Sequence, residues 1–233
     1  LHLDIEPEPD GVLENSQDVI NFFNADLLPC GVSQLTKQFD IDEEEARKII
    51  LRHITVCYDV CHFALAYEEP ILTLENFKKA GIKIGKIQIS SALMANLNNL
   101  GMKTLERVKI LNELKNFDEP VYLHQVTGYR GAEFVAYSDL SELPVDDGFS
   151  ELRAHFHVPV FLRYYGLLQS TQTQTLAVIQ LLTEQMPTRH LEIETYTWSV
   201  LPDDLKLELS DSIVRELLWV IDQFGLASSE LCE

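Results

Sequence analysis

The chain has 233 residues, and 46% of them are hydrophobic, which is enough to bury a full core within a single large domain. Its 37 acidic residues outnumber 18 basic ones, and the net charge of -19 argues against nucleic acid as a partner because no segment concentrates Lys and Arg. The sequence lacks a run of about 18 apolar residues, a leader peptide and the cysteine framework of a secreted domain. We therefore expect a cytoplasmic protein with reduced thiols and no membrane span.

Strand-like and helix-like segments alternate along the chain. Strand LHLDIEP precedes a helix with a cap at Ser16 and a second helix, IDEEEARKIILRH, whose terminal charges match the helix dipole. Strand ITVCYDV follows, then a helix that ends at Gly81 and strand KIGKIQIS. After another helix, a hairpin turns between Tyr129 and Gly131. Strand ELRAHFHVPVF, a helix, strand HLEIETYTW and a closing helix complete the series. This alternation is typical of parallel βαβ units.

Five such strands fit an open doubly wound sheet or part of a closed barrel. No glycine-rich phosphate loop follows a strand, so the dinucleotide-binding fingerprint is missing. Ionisable residues gather at the C-terminal ends of strands, where barrel enzymes carry their chemistry. A complete barrel takes about 250 residues. We expect residues 1–233 to form the C-terminal part of one (β/α)8 TIM barrel, with 117–150 as a hairpin insertion and roughly three N-terminal units outside this sequence.

Polar side chains fall on one face of each predicted strand, because residues two apart point the same way. Carboxylates and imidazoles inside a barrel are costly unless they are paired or bind a metal. The sequence offers a mixed oxygen and nitrogen set that suits a divalent ion such as Zn, Mn, Co or Mg. Its members are Glu6, Asp59, His62, His155, His157 and Glu194.

Several of these residues also have a structural interpretation that involves no metal. Glu6 in EPEP is alternatively a solvated loop acid, and the His155 and His157 pair is alternatively bonded to backbone. His124 in YLHQV either lines the mouth of the site or is structural. Cys57 and Cys61, four apart on a predicted strand, span roughly 13 Å and cannot hold one ion together. We expect these cysteines to be small buried apolar side chains.

The order of these motifs resembles the xylose-isomerase-like barrel superfamily. The matching features are Glu-Pro after a strand, Asp-x-x-His, a histidine pair and a final Leu-Glu-Ile-Glu-Thr. That superfamily includes sugar isomerases, ketose epimerases, sugar-phosphate isomerase/epimerase-like proteins and endonucleases of the endonuclease IV type. YLHQV, HFHVPVF, ETYTW and VLP are also similar to barrel proteins of the bacterial Ebo metabolite-traffic gene cluster, found in cyanobacteria and other bacteria. The resemblance covers nearly the whole chain.

The resemblance implies roles for matched positions. Glu6 matches a carboxylate ligand, Glu194 matches a carboxylate that takes part in both metal binding and catalysis, and Asp59 matches a further metal ligand. His62 matches a residue that binds substrate in epimerases and metal in the endonucleases. The last two matched positions, His155 and His157, resemble an Asp-x-His ligand pair.

One position departs from the superfamily pattern. Gln88 stands where relatives carry a ligand histidine, and its amide oxygen is a weaker zinc ligand than imidazole. Metal occupancy and catalysis are therefore open at this stage. Beyond the metal ligands, the candidates for contacting a small-molecule ligand are His62, His124, Tyr196 and Trp198.

Three functions remain in view. The first is metal-dependent isomerisation or epimerisation of a small hydroxy-carbonyl or polyol compound in secondary-metabolite handling, with Glu6 or Glu194 removing a proton. The second is non-catalytic binding or traffic of a metabolite on the same scaffold. The third is phosphodiester cleavage of the endonuclease IV type, which the charge of -19 disfavours. The sequence does not decide between a monomer and a homo-oligomer.

Overall fold

The computed structural model describes residues 1–98, 103–118, 123–144, 148–198 and 206–225. These ranges form a mixed α/β fold with one parallel and one antiparallel sheet. The VLP motif at 200–202, Tyr122 of YLHQV and Cys232 lie outside the described residues. Within the described ranges, no helix combines the length and apolarity that crossing a bilayer requires.

Helices and strands alternate through the first half of the described chain. In order, it contains β1 (Leu3–Ile5), α1 (Ser16–Phe22), a π turn (Phe23–Leu27), α2 (Leu28–Phe39), α3 (Glu43–His53), β2 (Ile54–Asp59), α4 (Val60–Leu65), α5 (Pro70–Ala80), β3 (Ile84–Ile89), β4 (Leu93–Asn96) and α6 (Thr104–Lys115). Short strands dominate the next part, and two helices follow. This part contains β5 (Val126–Arg130), β6 (Glu133–Tyr137), a 3-10 turn (Leu140–Glu142), β7 (Phe149–Ala154), β8 (Tyr164–Tyr165), β9 (Leu168–Ser170), α7 (Gln172–Gln185), β10 (Leu191–Ile193) and α8 (Leu209–Gln223).

Local sequence explains several helix boundaries. Asn15, rather than the predicted Ser16, caps α1, and its side chain accepts the Asp18 backbone N–H at 3.0 Å. Pro29 has no N–H to donate, so the chain passes from α1 to α2 through a π turn. Gly81 ends α5 with a left-handed φ of 75°, as the sequence predicts.

The parallel sheet has the strand order β1-β2-β3-β10, and all three neighbouring pairs are parallel. This confirms the parallel βαβ units that the sequence predicts. One face of the sheet is apolar and fully buried in the core beneath the helices, with Val56, Tyr58, Ile87 and Ile89 on it. A closed barrel is not seen in the described ranges.

The other face of the parallel sheet is polar, and its side chains bond from strand to strand. Cys57 Sγ donates to Gln88 Oε1 at 2.8 Å, and Lys86 Nζ donates to Glu192 Oε2 at 2.6 Å. The rings of His2 and His190, next to the two edge strands, have centroids 5.4 Å apart. Cα atoms of β1 also lie within 8 Å of Cα atoms of β3, although flat strands two places apart would be about 9.6 Å from each other. The sheet is therefore strongly curved, with the polar face on the concave side.

The antiparallel sheet has the order β6-β5-β7-β4-β9-β8. Its β5–β6 hairpin lies inside the predicted insertion 117–150 and turns at Gly131, whose φ is 61°. The sheet also takes strands from outside that range, because β7 pairs with β4 and β4 pairs with β9. Periodicity alone indicates a strand without telling which sheet the strand joins.

The prediction that ELRAHFHVPVF forms a strand of the barrel is wrong. Only Phe149–Ala154 is extended, and it joins the antiparallel sheet as β7. Beyond it the backbone folds on itself, since Phe156 N–H donates to the Ala154 carbonyl at 2.8 Å and Val158 N–H donates to the Phe156 carbonyl at 3.0 Å. His155 and His157 consequently lie on an irregular segment and not on a strand.

Candidate metal centre

Asp59 ends β2 and caps α4, so its carboxylate has two different environments. Oδ1 accepts hydrogen bonds from Cys61 N–H at 2.7 Å, from His62 N–H at 3.2 Å and from Ser90 Oγ at 2.7 Å. Oδ2 is buried and has no hydrogen-bond partner. It lies 3.9 Å from Nε2 of both His62 and His157. A buried carboxylate oxygen left in this way needs a cation nearby.

Nearby charges and hydrogen bonds keep Asp59 ionised. Burial by itself raises the pKa of the carboxyl group. Positive charge on His62 or His157, together with the hydrogen bonds from Ser90 and the His62 backbone, outweighs that effect and lowers the pKa of Asp59 below its usual value. The residue therefore offers a full negative charge to the site.

Three imidazole rings meet beside Asp59 with their Nε2 atoms close together. His62 comes from α4, while His155 and His157 come from the irregular segment after β7. Nε2 of His155 lies 3.0 Å from Nε2 of His62 and 3.3 Å from Nε2 of His157. Nitrogen ligands about 2.0–2.1 Å from a tetrahedral zinc ion are separated by roughly 3.3 Å. The observed spacing matches that geometry.

The outer nitrogen of each ring is held by a carbonyl oxygen. Nδ1 of His62 lies 2.9 Å from the Pro7 carbonyl, and Nδ1 of His155 lies 2.8 Å from Gln125 Oε1. Nδ1 of His157 lies 3.2 Å from the Glu194 carbonyl. A carbonyl oxygen only accepts, so each Nδ1 carries a proton, and the lone pair of the corresponding neutral ring is at Nε2. This is the arrangement by which proteins orient histidine ligands toward a metal.

The environment favours the neutral form of the two histidines after β7. Burial lowers the pKa of His155 well below its usual value, and the neighbouring His62 and His157 add to the effect. Burial also lowers the pKa of His157. Three nitrogens and the unpaired Asp59 oxygen therefore fit a divalent ion, and this donor set is typical of zinc or a similar borderline metal.

Cys61 is a residue that strand reasoning missed. It lies in the first turn of α4, and its sulfur and one nitrogen each of His155 and His157 all lie within 4.8 Å of one another. Burial raises the pKa of the thiol. A bound cation would reverse this preference, since coordinated thiols are deprotonated. If Asp59 is interpreted as a helix cap, Cys61 falls on a helix beside His62 and becomes a candidate ligand from the sequence.

A second group of acids adjoins the imidazoles. Glu6, Asp59 and Glu194 each offer an oxygen, and these oxygens lie within 4.8 Å of one another. Burial, followed by the charges of Asp59 and Glu6, raises the pKa of Glu194 to about 7. Burial and the Asp59 charge also raise the pKa of Glu6. Glu194 is therefore suited to exchanging a proton near neutral pH.

Gln88 serves this acidic group as a hydrogen-bonding partner. Its Nε2 donates to Glu194 Oε2, and its Oε1 accepts from Cys57 Sγ. Both ends of the amide are engaged in these contacts. Gln88 thus orients Glu194, which differs from the ligand position that the family resemblance implies for it.

The aromatic candidates and His124 occupy different places. Tyr196 stacks on the His157 ring at a centroid distance of 5.1 Å, which makes it a wall of the site. His124 is 1% exposed, stacks on Phe156 and lies with Nδ1 3.3 Å from the His155 carbonyl, so it supports the backbone behind the site. Trp198 packs against the core of the antiparallel sheet.

Glu216 on α8 is a buried acid that the sequence gives no reason to select. It is fully buried and accepts hydrogen bonds from Val160 N–H at 2.9 Å, Thr195 Oγ1 at 2.8 Å and Trp198 Nε1 at 2.9 Å. Val160 follows the histidine pair, and Thr195 follows Glu194. One carboxylate therefore ties together the two irregular segments that carry site residues.

Three groups of possible ligand atoms, each within 4.8 Å of one another, thus lie side by side: Asp59, His62 and His157; Cys61, His155 and His157; and Glu6, Asp59 and Glu194. Comparison of the chain with protein-family models, with curated proteins and with solved structures finds no match.

Proposed function

We propose that the chain binds a divalent metal ion through His62, His155, His157 and Asp59, and that it belongs to a (β/α)8 barrel of the xylose-isomerase-like type. The observation that best supports metal binding is that the Nε2 atoms of three histidines lie close together, while Nδ1 of each ring donates to a carbonyl oxygen. The curvature of the parallel sheet and its polar concave face support the barrel. The position at the C-terminal ends of parallel strands is typical of barrel active sites.

The function that this geometry supports best is metal-dependent isomerisation or epimerisation of a small hydroxy-carbonyl compound. A divalent ion bound at the imidazoles would supply a Lewis acid that polarises a carbonyl oxygen. The adjoining acids supply the proton-transfer groups that such a reaction needs. Phosphodiester cleavage on DNA has weaker support, because the net charge of -19 repels the phosphate backbone.

Glu194 is the proposed general base. In the metal-free chain its pKa is about 7, and a bound divalent cation would favour the ionised form that a base needs. Its carboxylate would take the proton from the carbon next to the substrate carbonyl, while Gln88 holds the side chain in place. Glu6, whose pKa is also raised, would return a proton in an epimerisation, or Glu194 would return it to the neighbouring carbon in an isomerisation.

Proton exchange tests the proposal without knowledge of the final product. The full chain, loaded separately with Zn, Mn, Co or Mg, is incubated in D2O with a panel of small ketoses, aldoses and their phosphates. NMR then measures deuterium uptake at the carbon next to the carbonyl. We expect uptake with at least one ion, its loss after chelation, and its loss in Glu194→Gln while the ion stays bound. Glu192→Gln, on the same strand, is the matched control.

A metabolite-binding protein without turnover is the second candidate. The observation that favours it is the hydrogen bond from Gln88 to Glu194, which occupies an oxygen that a base would use. A role in secondary-metabolite traffic agrees with the resemblance to barrel proteins of the Ebo cluster. Metal binding with no deuterium uptake across the whole panel would favour this candidate over the isomerase.

A further inference from the structure

A second cavity lies apart from the imidazoles. It has a volume of about 360 Å³ and is enclosed by the loop after β1, the end of α4 and the β5–β6 hairpin. Pockets of roughly this size and upward hold small organic molecules. None of the proposed metal ligands lines it. Gln125, whose Oε1 lies 2.8 Å from His155 Nδ1, does line it, so the cavity adjoins the proposed metal centre without containing its ligands.

Aromatic rings from the hairpin form one wall. Tyr129, Phe134 and Tyr137 line the cavity, and the ring centroids of Tyr129 and Phe134 lie 5.7 Å apart. Phe134 is 47% exposed, although a phenyl ring gains by leaving water. The faces of such rings carry partial negative charge, which attracts a cation.

Carboxylates also line the cavity. Asp10, Glu14 and Glu68 line the cavity, and its lining contains no Lys, Arg or His. In the described part of the chain, none of the three acids forms an ion pair. They are also absent from the groups of described residues whose atoms are close enough to hold a metal ion. Glu68 already accepts hydrogen bonds from Ser16 and Thr73, so the exposed Asp10 and Glu14 are the acids most open to a ligand.

We propose that this cavity binds an organic cation of the alkylammonium class. The ring faces attract a positive nitrogen over Tyr129 and Phe134, and the carboxylates offset its charge. An anion would be repelled by the three acids, and a neutral apolar ligand would desolvate them without compensation. The net charge of -19 raises the local concentration of cations around the chain.

Calorimetric titration of the metal-free full chain tests this assignment. Choline is compared with 3,3-dimethylbutan-1-ol, which has the same shape without the charge. We expect choline to bind about tenfold more tightly than the alcohol, in line with a cation held on aromatic faces. High salt should weaken the binding of choline and leave that of the alcohol unchanged.

Two variants with matched controls locate the binding. Glu14→Gln keeps an oxygen that accepts the Asp10 backbone N–H, and it should weaken the binding of choline several-fold. Glu8→Gln, on the same loop, should leave the binding of choline unchanged. Phe134→Ala should weaken choline about tenfold, whereas Phe39→Ala, another exposed ring outside the cavity, should not. Circular dichroism shows that each variant is folded.

Equal affinity for choline and the alcohol would overturn the proposal. So would a lack of binding by choline, tetramethylammonium and butylamine at millimolar concentration. His157→Ala should leave choline binding intact, because the cavity does not contain a proposed metal ligand. Failure of the choline proposal and failure of the metal proposal can therefore be told apart.

Discussion

Nε2 of His62 lies 3.0 Å from Nε2 of His155, although Nδ1 of each ring already faces a carbonyl oxygen at hydrogen-bonding distance. Two neutral rings held in this way would direct lone pairs at each other. That contact is favourable only when a proton or a metal ion lies between the nitrogens. Burial lowers the pKa of His155 and so disfavours the proton at neutral pH, which agrees with the metal ion that we propose.

Removal of one imidazole should abolish tight metal binding. Losing only the hydrogen-bonding partner of a metal ligand weakens metal binding roughly 10- to 100-fold. We expect His155→Ala, which removes a proposed ligand itself, to weaken Zn binding by more than that. Competition with a chromophoric chelator measures the affinity. His53→Ala, an exposed histidine at the end of α3, should bind Zn like the unmodified chain. Equal affinities for the two variants would contradict the site.

Gln125 should control Zn affinity through the His155 ring. Its Oε1 accepts from Nδ1 at 2.8 Å, and Gln125→Leu removes that acceptor. We expect affinity to fall about 10- to 100-fold, as is usual when the partner of a metal-bound histidine is lost. Gln125→Glu keeps an acceptor oxygen and should retain the affinity. A leucine variant that binds Zn as tightly as the glutamate variant would show that His155 is oriented by other contacts.

Glu216 should stabilise both the fold and the site. Glu216→Ala leaves the donors of Val160, Thr195 and Trp198 without their partner, and each buried unsatisfied group costs about 1–3 kcal/mol. We expect a fall in unfolding free energy in urea of about 3 kcal/mol or more. Zn affinity of the folded variant should also fall, because His157 loses its support. Asp211→Asn, an exposed change in the first turn of the same helix, should leave Zn affinity unchanged and lower the unfolding free energy by less than about 1 kcal/mol.

Glu194 gives the metal-free protein a pH dependence of defined sign. Its pKa of about 7 in the folded chain lies above the ordinary value of 4.5, because of burial and the charges of Asp59 and Glu6. The folded state binds the extra proton between these values, so stability falls as the pH rises through this window.

Neutralising this residue should therefore stabilise the metal-free chain at high pH. At about pH 8 we expect Glu194→Gln to unfold in urea with roughly 1 kcal/mol more free energy than the unmodified chain, after allowance for solvent screening. Near pH 4.5, the advantage should vanish. Glu184→Gln, on exposed α7, should show no such pH dependence. A stabilisation that is the same at both pH values would contradict the raised pKa.

Zn should also stabilise the whole chain. A ligand that binds only the folded state adds about 4 kcal/mol at a thousand times its dissociation constant. We expect the thermal midpoint to rise with Zn concentration in the unmodified chain and to stay constant in His157→Ala. A rise of equal size in both proteins would place the bound ion elsewhere.

Local patterns predicted the strand at ITVCYDV correctly, together with its neighbours in the parallel sheet. Alternating side chains in β2 and β3 separate Val56, Tyr58 and Ile87 from Cys57 and Gln88, because period two is fixed by strand geometry. The Asp59 cap and the Gly81 stop depend on adjacent residues only, so their chemistry can be read from sequence.

Long-range pairing was the part that local patterns could not decide. ELRAHFHVPVF reads as a barrel strand, yet its first half pairs with β4 and β5 in the other sheet. The choice depends on partners far apart in sequence, which period-two spacing does not encode. Cys61 was misplaced for a related reason, since the strand was extended past the residue that caps α4.

The sequence by itself determined the donor types, the parallel units and the acidic character of this protein. The tertiary structure decided which donors meet: His62, His155 and His157 at one point, Glu194 beside Gln88, and Glu216 holding two loops. The reason is that each of these contacts joins segments separated by tens of residues. Their distances are set by packing of the sheets, and local conformational preferences carry no information about them.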